Sequence, residues 1–435
     1  MTLQKVRVTE QIHLTCIQTD KFKTGSLTFT VTMPLTRENI YFNTVLPGVL
    51  RRGTERYPDM ASLNRRLDEL YASTVEIRAE KLGRNFALIF SAELLDEDYA
   101  SEGVSITDGV MEVISEMLLH PKLEANSFPS AAVEQEKQFE RDALRATVNT
   151  PRAYAAMRLN EIMYRNDTET PTLEELEEGL RSITGERLAE HYRTILHASP
   201  LEVFYVGTLS PDDIAILLRK YFSDWSGPAS HSLQTPHPEP SAGFCSRTEK
   251  MPVSQGKLAM GFRVGVVSDG KSDDTFTALV LNEIFGGSPA SKLFLNVREK
   301  KSLCYYCASG YRPYAGIITV SSGIRNENRA IAEQAILEQM EDIRQGNISE
   351  TEFRAAKVSL DNTYRQLYDN PFALQTFYEN RSLLGIRETI EDCRRKVAAV
   401  RPEDVIALSS QVHCDSVFFI EATLTDTEKE DDEDA

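Results

Sequence analysis

The sequence predicts an α+β protein of two homologous tandem domains, each an antiparallel-rich β-sheet packed with helices. Three observations carry this. The chain has 435 residues, more than one ordinary hydrophobic core organises. The stretch S-G-P-A-S-H-S-L-Q-T-P-H-P-E-P-S-A-G at 226–243 holds four prolines and is too polar to build a core, so it reads as a linker. Two pairs of segments then recur on either side of it at nearly constant spacing.

The first pair is I-T-G-E-R-L-A-E-H-Y-R-T-I-L-H-A-S-P-L-E-V-F-Y-V-G-T-L at 183–209 and V-R-P-E-D-V-I-A-L-S-S-Q-V-H-C-D-S-V-F-F-I-E-A-T-L at 400–424. Each is a helix with an acidic first turn, a break, and an apolar strand ending in Thr-Leu. Glu186 and Glu403 stand 217 residues apart. The second pair, 149–163 and 369–383, carries Pro151 and Pro371 at a first helical position, 220 residues apart. A duplication accounts for both.

The remaining elements agree. The first half opens with the alternating strand S-L-T-F-T-V-T-M (26–33), a helical run at 36–52 and a helix at 59–71. A hairpin follows, T-V-E-I-R-A-E and F-A-L-I-F-S-A-E around K-L-G-R-N. The second half repeats a strand (256–264), a helix (273–285), a Gly286-Gly287 turn, a helix (290–299) and a hairpin turning at P-Y-A-G, with long amphipathic helices over 325–410. The expected boundaries are an N-terminal domain at 1–225, a linker at 226–245, a C-terminal domain at 246–425 and an acidic disordered tail at 426–435. That tail carries seven acids and one lysine.

Composition excludes several classes. Hydrophobic residues make up 41% and charged residues 26% of the chain, which suits a globular protein. The net charge of −18 argues against nucleic acid or an anionic membrane as partner. There is no apolar run of membrane-spanning length and no secretory leader pattern. Six scattered cysteines suit reduced thiols, so a cytoplasmic location is expected.

The segment F-G-G-S-P-A-S-K-L-F-L-N-V-R-E-K-K-S-L-C-Y-Y-C-A-S resembles the M16 (pitrilysin/insulinase, mitochondrial processing peptidase-like) metallopeptidases. Their pattern there is a Gly-rich turn followed by S-x-L-F-x-x-x-R-E-x-x-x-L-x-Y. It is met by Ser291, Leu293, Phe294, Arg298, Glu299, Leu303 and Tyr305. The first half matches at R-R-G-T (51–54). The resemblance runs from about residue 5 to 424 and implies two homologous α+β units.

In active members the segment before the Gly-Thr turn reads H-x-x-E-H. Two imidazoles at i and i+4 on a helix grip one Zn²⁺, and the Glu activates its water. Here the corresponding residues are Thr44, Pro47 and Gly48. Proline and glycine do not keep the helical preference either. The distant Glu ligand would fall at Glu136 or Glu134, each otherwise an ordinary residue of a charged helix. The resemblance assigns Arg298 and Tyr305 to peptide-backbone contact; the alternative is a solvated helix end and a core tyrosine.

No other constellation replaces the lost one. No two of the seven histidines share a spacing of three or four residues. His191 and His197, six apart, point in different directions and read as helix-surface or turn residues. Cys304 and Cys307 form a C-x-x-C, but on a strand residues three apart face opposite sides, so they read as packing cysteines. Gly286-Gly287 reads as a helix cap and chain reversal, without a phosphate-loop pattern.

The sequence therefore points to a non-catalytic member with no catalytic residue, no metal ligand and no cofactor. Its expected role is to bind an extended peptide by strand addition, with Arg298 and Tyr305 as the binding residues. It would pair with an active zinc-peptidase homologue or with itself as a dimer. Two alternatives stand beside this: an active metallopeptidase with a rearranged zinc site, and a structural scaffold subunit of a larger complex.

Overall fold

The computed structural model describes residues 1–238 and 240–424. The acidic tail expected at 426–435 lies outside them. The first half runs β1 (Thr2–Arg7), β2 (Ile12–Gln18), β3 (Thr24–Pro34), α1 (Arg37–Leu50), α2 (Met60–Glu69), β4 (Thr74–Leu82) and β5 (Asn85–Leu95). It continues with α3 (Ile106–Leu119), α4 (Ser130–Ala146), α5 (Pro151–Met163), α6 (Leu173–Arg181), α7 (Gly185–Leu196), β6 (Leu201–Gly207) and α8 (Pro211–Phe222). The second half has β7 (Cys245–Met251), β8 (Gly256–Arg263), α9 (Asp274–Asn282), β9 (Cys304–Arg312), β10 (Ile317–Ile324) and α10 (Arg329–Arg344). Then come α11 (Glu350–Gln366), α12 (Pro371–Leu383), α13 (Ile390–Ala399), α14 (Pro402–Ser409) and β11 (His413–Ala422).

The two sheets repeat one topology. The first is ordered β1-β2-β6-β3-β5-β4 and the second β7-β11-β8-β10-β9. In both, one pair is parallel (β2 with β6, β7 with β11) and the other pairs are antiparallel. The first sheet differs by its extra edge strand, β1. Local signals fix the ends of the elements. Reciprocal caps start α1 (Thr36 with Asn39), α2 (Asp59 with Ser62) and α8 (Ser210 with Asp213). Proline opens α5 and α12 at the repeated position.

The chain divides into two compact units that are not contiguous in sequence. Unit 1 comprises Met1–Leu144, Pro171–Thr235 and Leu367–Leu384; unit 2 comprises Arg145–Thr170, Pro236–Gln366 and Gly385–Ala435. Division at the linker differs from this in the two repeat-related helices. Helix α5 packs on β8 and β11 of unit 2, and α12 on β3 and β6 of unit 1.

The two faces of the first sheet differ in chemistry. One carries Leu14, Leu27, Phe29, Leu88, Phe90 and Val203, packed under α1, α3, α7 and α8 in a continuous core. Phe29 stacks on Phe222 with centroids 4.9 Å apart. The other face places Thr28, Thr30 and Thr32 of β3 beside Glu202 of β6 and His13 of β2. Helix α12 covers part of it with polar groups: Thr30 Oγ1 donates to Glu379 at 2.5 Å, and Gln375 Nε2 donates to Thr28 Oγ1 at 2.5 Å. In unit 2 the equivalent cover is apolar, with Leu159, Ile162 and Met163 against Ala259 and Phe418.

The helical run expected at 36–52 is α1, which carries Pro47 and Gly48 within it and ends at Leu50. Proline inside a helix costs about 3 kcal/mol. Val45, Leu46, Val49 and Leu50 are each buried, and burying such a side chain returns roughly 1.5–3 kcal/mol. Packing outweighs propensity.

Candidate functional site

The face of α1 that would hold a metal is built from residues four apart: Thr44, Gly48 and, two residues past the helix end, Arg52. The Thr44 hydroxyl donates to the Ile40 carbonyl at 2.9 Å. Pro47 offers no donor or acceptor side chain. Gly48 leaves a gap, and the carboxylate of Glu136 on α4 fills it. A Cβ on Gly48 would lie 2.1 Å from Glu136 Oε2 and 2.6 Å from its Cδ.

Glu136 is buried, at 8% exposure, which corrects the reading of an ordinary surface carboxylate. Arg52 supplies its counter-charge. Nε donates to Glu136 Oε1 at 2.6 Å, a second nitrogen pairs with the same oxygen, and Nη1 donates to Gln135 at 2.8 Å. Burial, and then the negative charge of Glu136, hold the neighbouring Glu140 carboxyl above its usual range. Glu134, the other candidate, instead pairs with Lys137 at 2.7 Å and has an exposed side chain.

This donor set does not fit zinc. Of the ligand positions implied by the family pattern, only the downstream one offers a carboxylate, and its two candidates are committed, Glu136 to a guanidinium and Glu134 to Lys137. One carboxylate facing a fixed cation has neither the ligand number nor the free charge that catalytic Zn²⁺ needs. Arg52 was legible in the sequence as the next residue on the 44–48 face, but its pairing with Glu136 depends on which helix faces α1.

In unit 2, Arg298 closes the π-helical segment Leu293–Lys300. Its Nε donates to the Tyr305 backbone carbonyl at 2.8 Å, and its guanidinium lies 4.6 Å from the centroid of the Phe294 ring. The Tyr305 side chain is not core: it is 75% exposed. Both residues line a cleft of about 520 Å³ together with Gln255, Cys304, Ile324 and Arg325. Strand β9, which carries Tyr305, is an edge of its sheet.

A β-bulge shapes this cleft. Ser322 of β10 faces Cys307, Gly323 faces Tyr306, and Ile324 faces Cys304, so Tyr305 is the extra residue. The insertion corrects the expected alternation: Cys304 and Cys307 come to the same side. A hydrogen bond from Cys307, assisted by Ser322 and the charge of Arg298, pulls the Cys304 thiol down to about 7 against the burial that would raise it. The Gly286-Gly287 pair is likewise not a left-handed cap. Gly286 lets the helix end approach β9, since a Cβ there would meet Ser309 N at 2.8 Å.

One histidine departs from expectation. His191 is packed rather than on the surface: it stacks on Phe42 at 5.0 Å and bonds Asn43 Oδ1 through Nε2 at 2.7 Å. Burial pushes it down to about 4. His231, in the proline-rich segment, meets Glu202 and His13 on the polar face of the first sheet.

Fold and site together define a peptidase-like architecture in which the metal-gripping pair of helices holds an arginine–glutamate pair instead. The comparisons agree. The family description Peptidase M16 inactive domain matches residues 182–360. The chain is 30% identical over 408 residues, covering 94% of its length and 95% of the relative's, to the probable inactive metalloprotease YmfF of Bacillus subtilis (strain 168). Among solved structures it is similar to a conserved protein from Enterococcus faecalis V583, at TM-score 0.87 and 25% identity, covering 98% of this chain and 99% of that one. It also shares its fold with the peptidase M16 inactive domain from Pseudomonas fluorescens, at TM-score 0.81 and 15% identity, covering 98% and 99% of the two chains. The chain belongs to the M16 peptidase family. Among the described residues no helix is long and apolar enough to cross a membrane.

Proposed function

We propose that this chain is a non-catalytic M16 subunit that holds an extended peptide and pairs with a homologous chain carrying an intact H-x-x-E-H. The observation that carries the reading is the contrast between its two candidate sites. The metal position is filled by Arg52 and Glu136, while the cleft with Arg298 and Tyr305 stays open beside the β9 edge. An edge strand offers unpaired N–H and C=O groups to a peptide backbone. A guanidinium has five N–H donors, so Arg298 keeps several for a ligand after binding Tyr305. The acidic balance favours basic peptides. Six cysteines scattered along the sequence suit a reducing, cytoplasmic setting.

Reconstitution tests this. The chain is mixed with a homologous M16 chain from the same organism that retains H-x-x-E-H, and hydrolysis of a basic peptide is followed. The reading expects a stoichiometric complex whose kcat/KM exceeds that of the homologue alone, and loss of most of the gain in Arg298→Ala. No complex and no gain would sink the partner role.

A further inference from the structure

His13, Glu202 and His231 lie far apart in sequence and converge on one point. His13 of β2 is the register partner of Glu202 on β6. Its Nδ1 lies 2.7 Å from Glu202 Oε1, and His231 Nε2 lies 2.7 Å from the same oxygen. One ligand atom from each residue falls within 4.8 Å of the others. Glu202 is 6% exposed, and both rings are mostly covered.

We infer that His13, Glu202 and His231 form a divalent-metal site, suited to Zn²⁺, which clips the proline-rich segment onto the first sheet. Two imidazoles and a carboxylate are a known three-ligand zinc set, with bonds of about 2.0–2.2 Å. Tetrahedral bonds of that length need ligand separations of about 3.3 Å. Each 2.7 Å contact therefore opens by about 0.6 Å, a rotamer-scale adjustment. An outer partner is in place as well. His231 Nδ1 lies 3.0 Å from Thr32 Oγ1. Such contacts fix the tautomer and orientation of a ligating ring.

His13 and Glu202 also line a cleft of about 450 Å³, together with Lys5, Arg7, Thr15 and Ala229. The two cations there weaken binding of a bare ion and favour an anion as the fourth ligand. Among the described residues no carboxylate other than Glu202 lines this cleft, so nothing there acts as general base for a metal-bound water. The ion holds chain rather than cutting it. Asn85 supports the same docking, donating to the Gln234 carbonyl and accepting from the Gln234 N–H, both at 2.8 Å.

The test is a Zn²⁺ titration of the full chain by calorimetry at neutral pH, repeated with Co²⁺ and read by its ligand-field spectrum. The inference expects one equivalent bound and a tetrahedral Co²⁺ signature. His231→Ala, outside any helix, strand or core cluster, should abolish both, and Thr32→Val should weaken binding by roughly tenfold. His197→Ala should change nothing. A folded wild-type chain that takes up no stoichiometric metal would overturn the site, as would uptake unaffected by His231→Ala.

Discussion

Gly48→Ala probes the replaced metal position directly. In an ordinary helix the change stabilises by about 1 kcal/mol. Here the new methyl would sit 2.1 Å from Glu136 Oε2, 2.6 Å from Cδ and 3.0 Å from Cγ, so the whole carboxyl group must move. Moving it breaks the Arg52 bonds to Oε1, one of them 2.6 Å long. Hydrogen bonds to charged groups contribute about 1.5–3 kcal/mol. Arg52 is about one-third exposed, so water recovers part of that. The net expectation is a loss of roughly 0.5–2 kcal/mol. In a Glu136→Ala background the obstacle is gone, and the same substitution should stabilise by about 0.5–1 kcal/mol. The sign change is the prediction, a coupling of roughly 1–3 kcal/mol in a double-mutant cycle. The assay is urea unfolding followed by tryptophan fluorescence. The sole tryptophan, Trp225, lies in unit 1 with Gly48 and Glu136. A Gly48→Ala effect of equal sign and size in both backgrounds would refute the placement of Glu136 over Gly48.

Two further outcomes are expected. His191 falls from 6.5 to about 4 in the folded state, so the unfolded chain binds its proton first. The stability this gives is complete above 6.5 and lost as pH drops towards 4, up to roughly 3 kcal/mol. Wild type minus His191→Gln should show that slope in unfolding free energy over that window, and a flat difference would refute it. Cys304, held near 7 while Cys16 and Cys414 are pushed up to about 12 by burial, should be the first thiol carboxymethylated by iodoacetate at neutral pH. Arg298→Ala should slow it several-fold. Peptide mapping that finds Cys16 or Cys414 modified first would contradict the cleft geometry.

The duplication was legible because both copies keep the same local signals: an acidic helix start before an apolar strand, and a proline at the first turn of α5 and α12. Their place was not. An amphipathic helix announces that it has an apolar face, not which sheet covers it, so the exchange of these helices between the units had to be seen. The loss of the zinc-ligand types was readable from the sequence alone, but the family pattern left the downstream carboxylate at Glu136 or Glu134, and only the packing of α4 against Gly48 picks Glu136. The helical run of α1 was legible, but not the four buried side chains around Pro47 and Gly48 that hold it. At the cleft, a single extra residue, Tyr305, turned two cysteines to one side and defeated strand alternation. His13, Glu202 and His231 span 218 residues and meet only through strand register and a docked loop. No local spacing encodes that meeting.

Binding without cleavage at the β9 cleft, as proposed above, is open to direct measurement. Its most direct measurement uses the isolated chain with a fluorescent extended basic peptide, reading anisotropy and then the peptide's mass after prolonged incubation. Saturable binding is expected, about tenfold weaker in Arg298→Ala, consistent with loss of one charged hydrogen-bonding group, with the peptide recovered intact. Chelator-sensitive cleavage by the lone chain would contradict it.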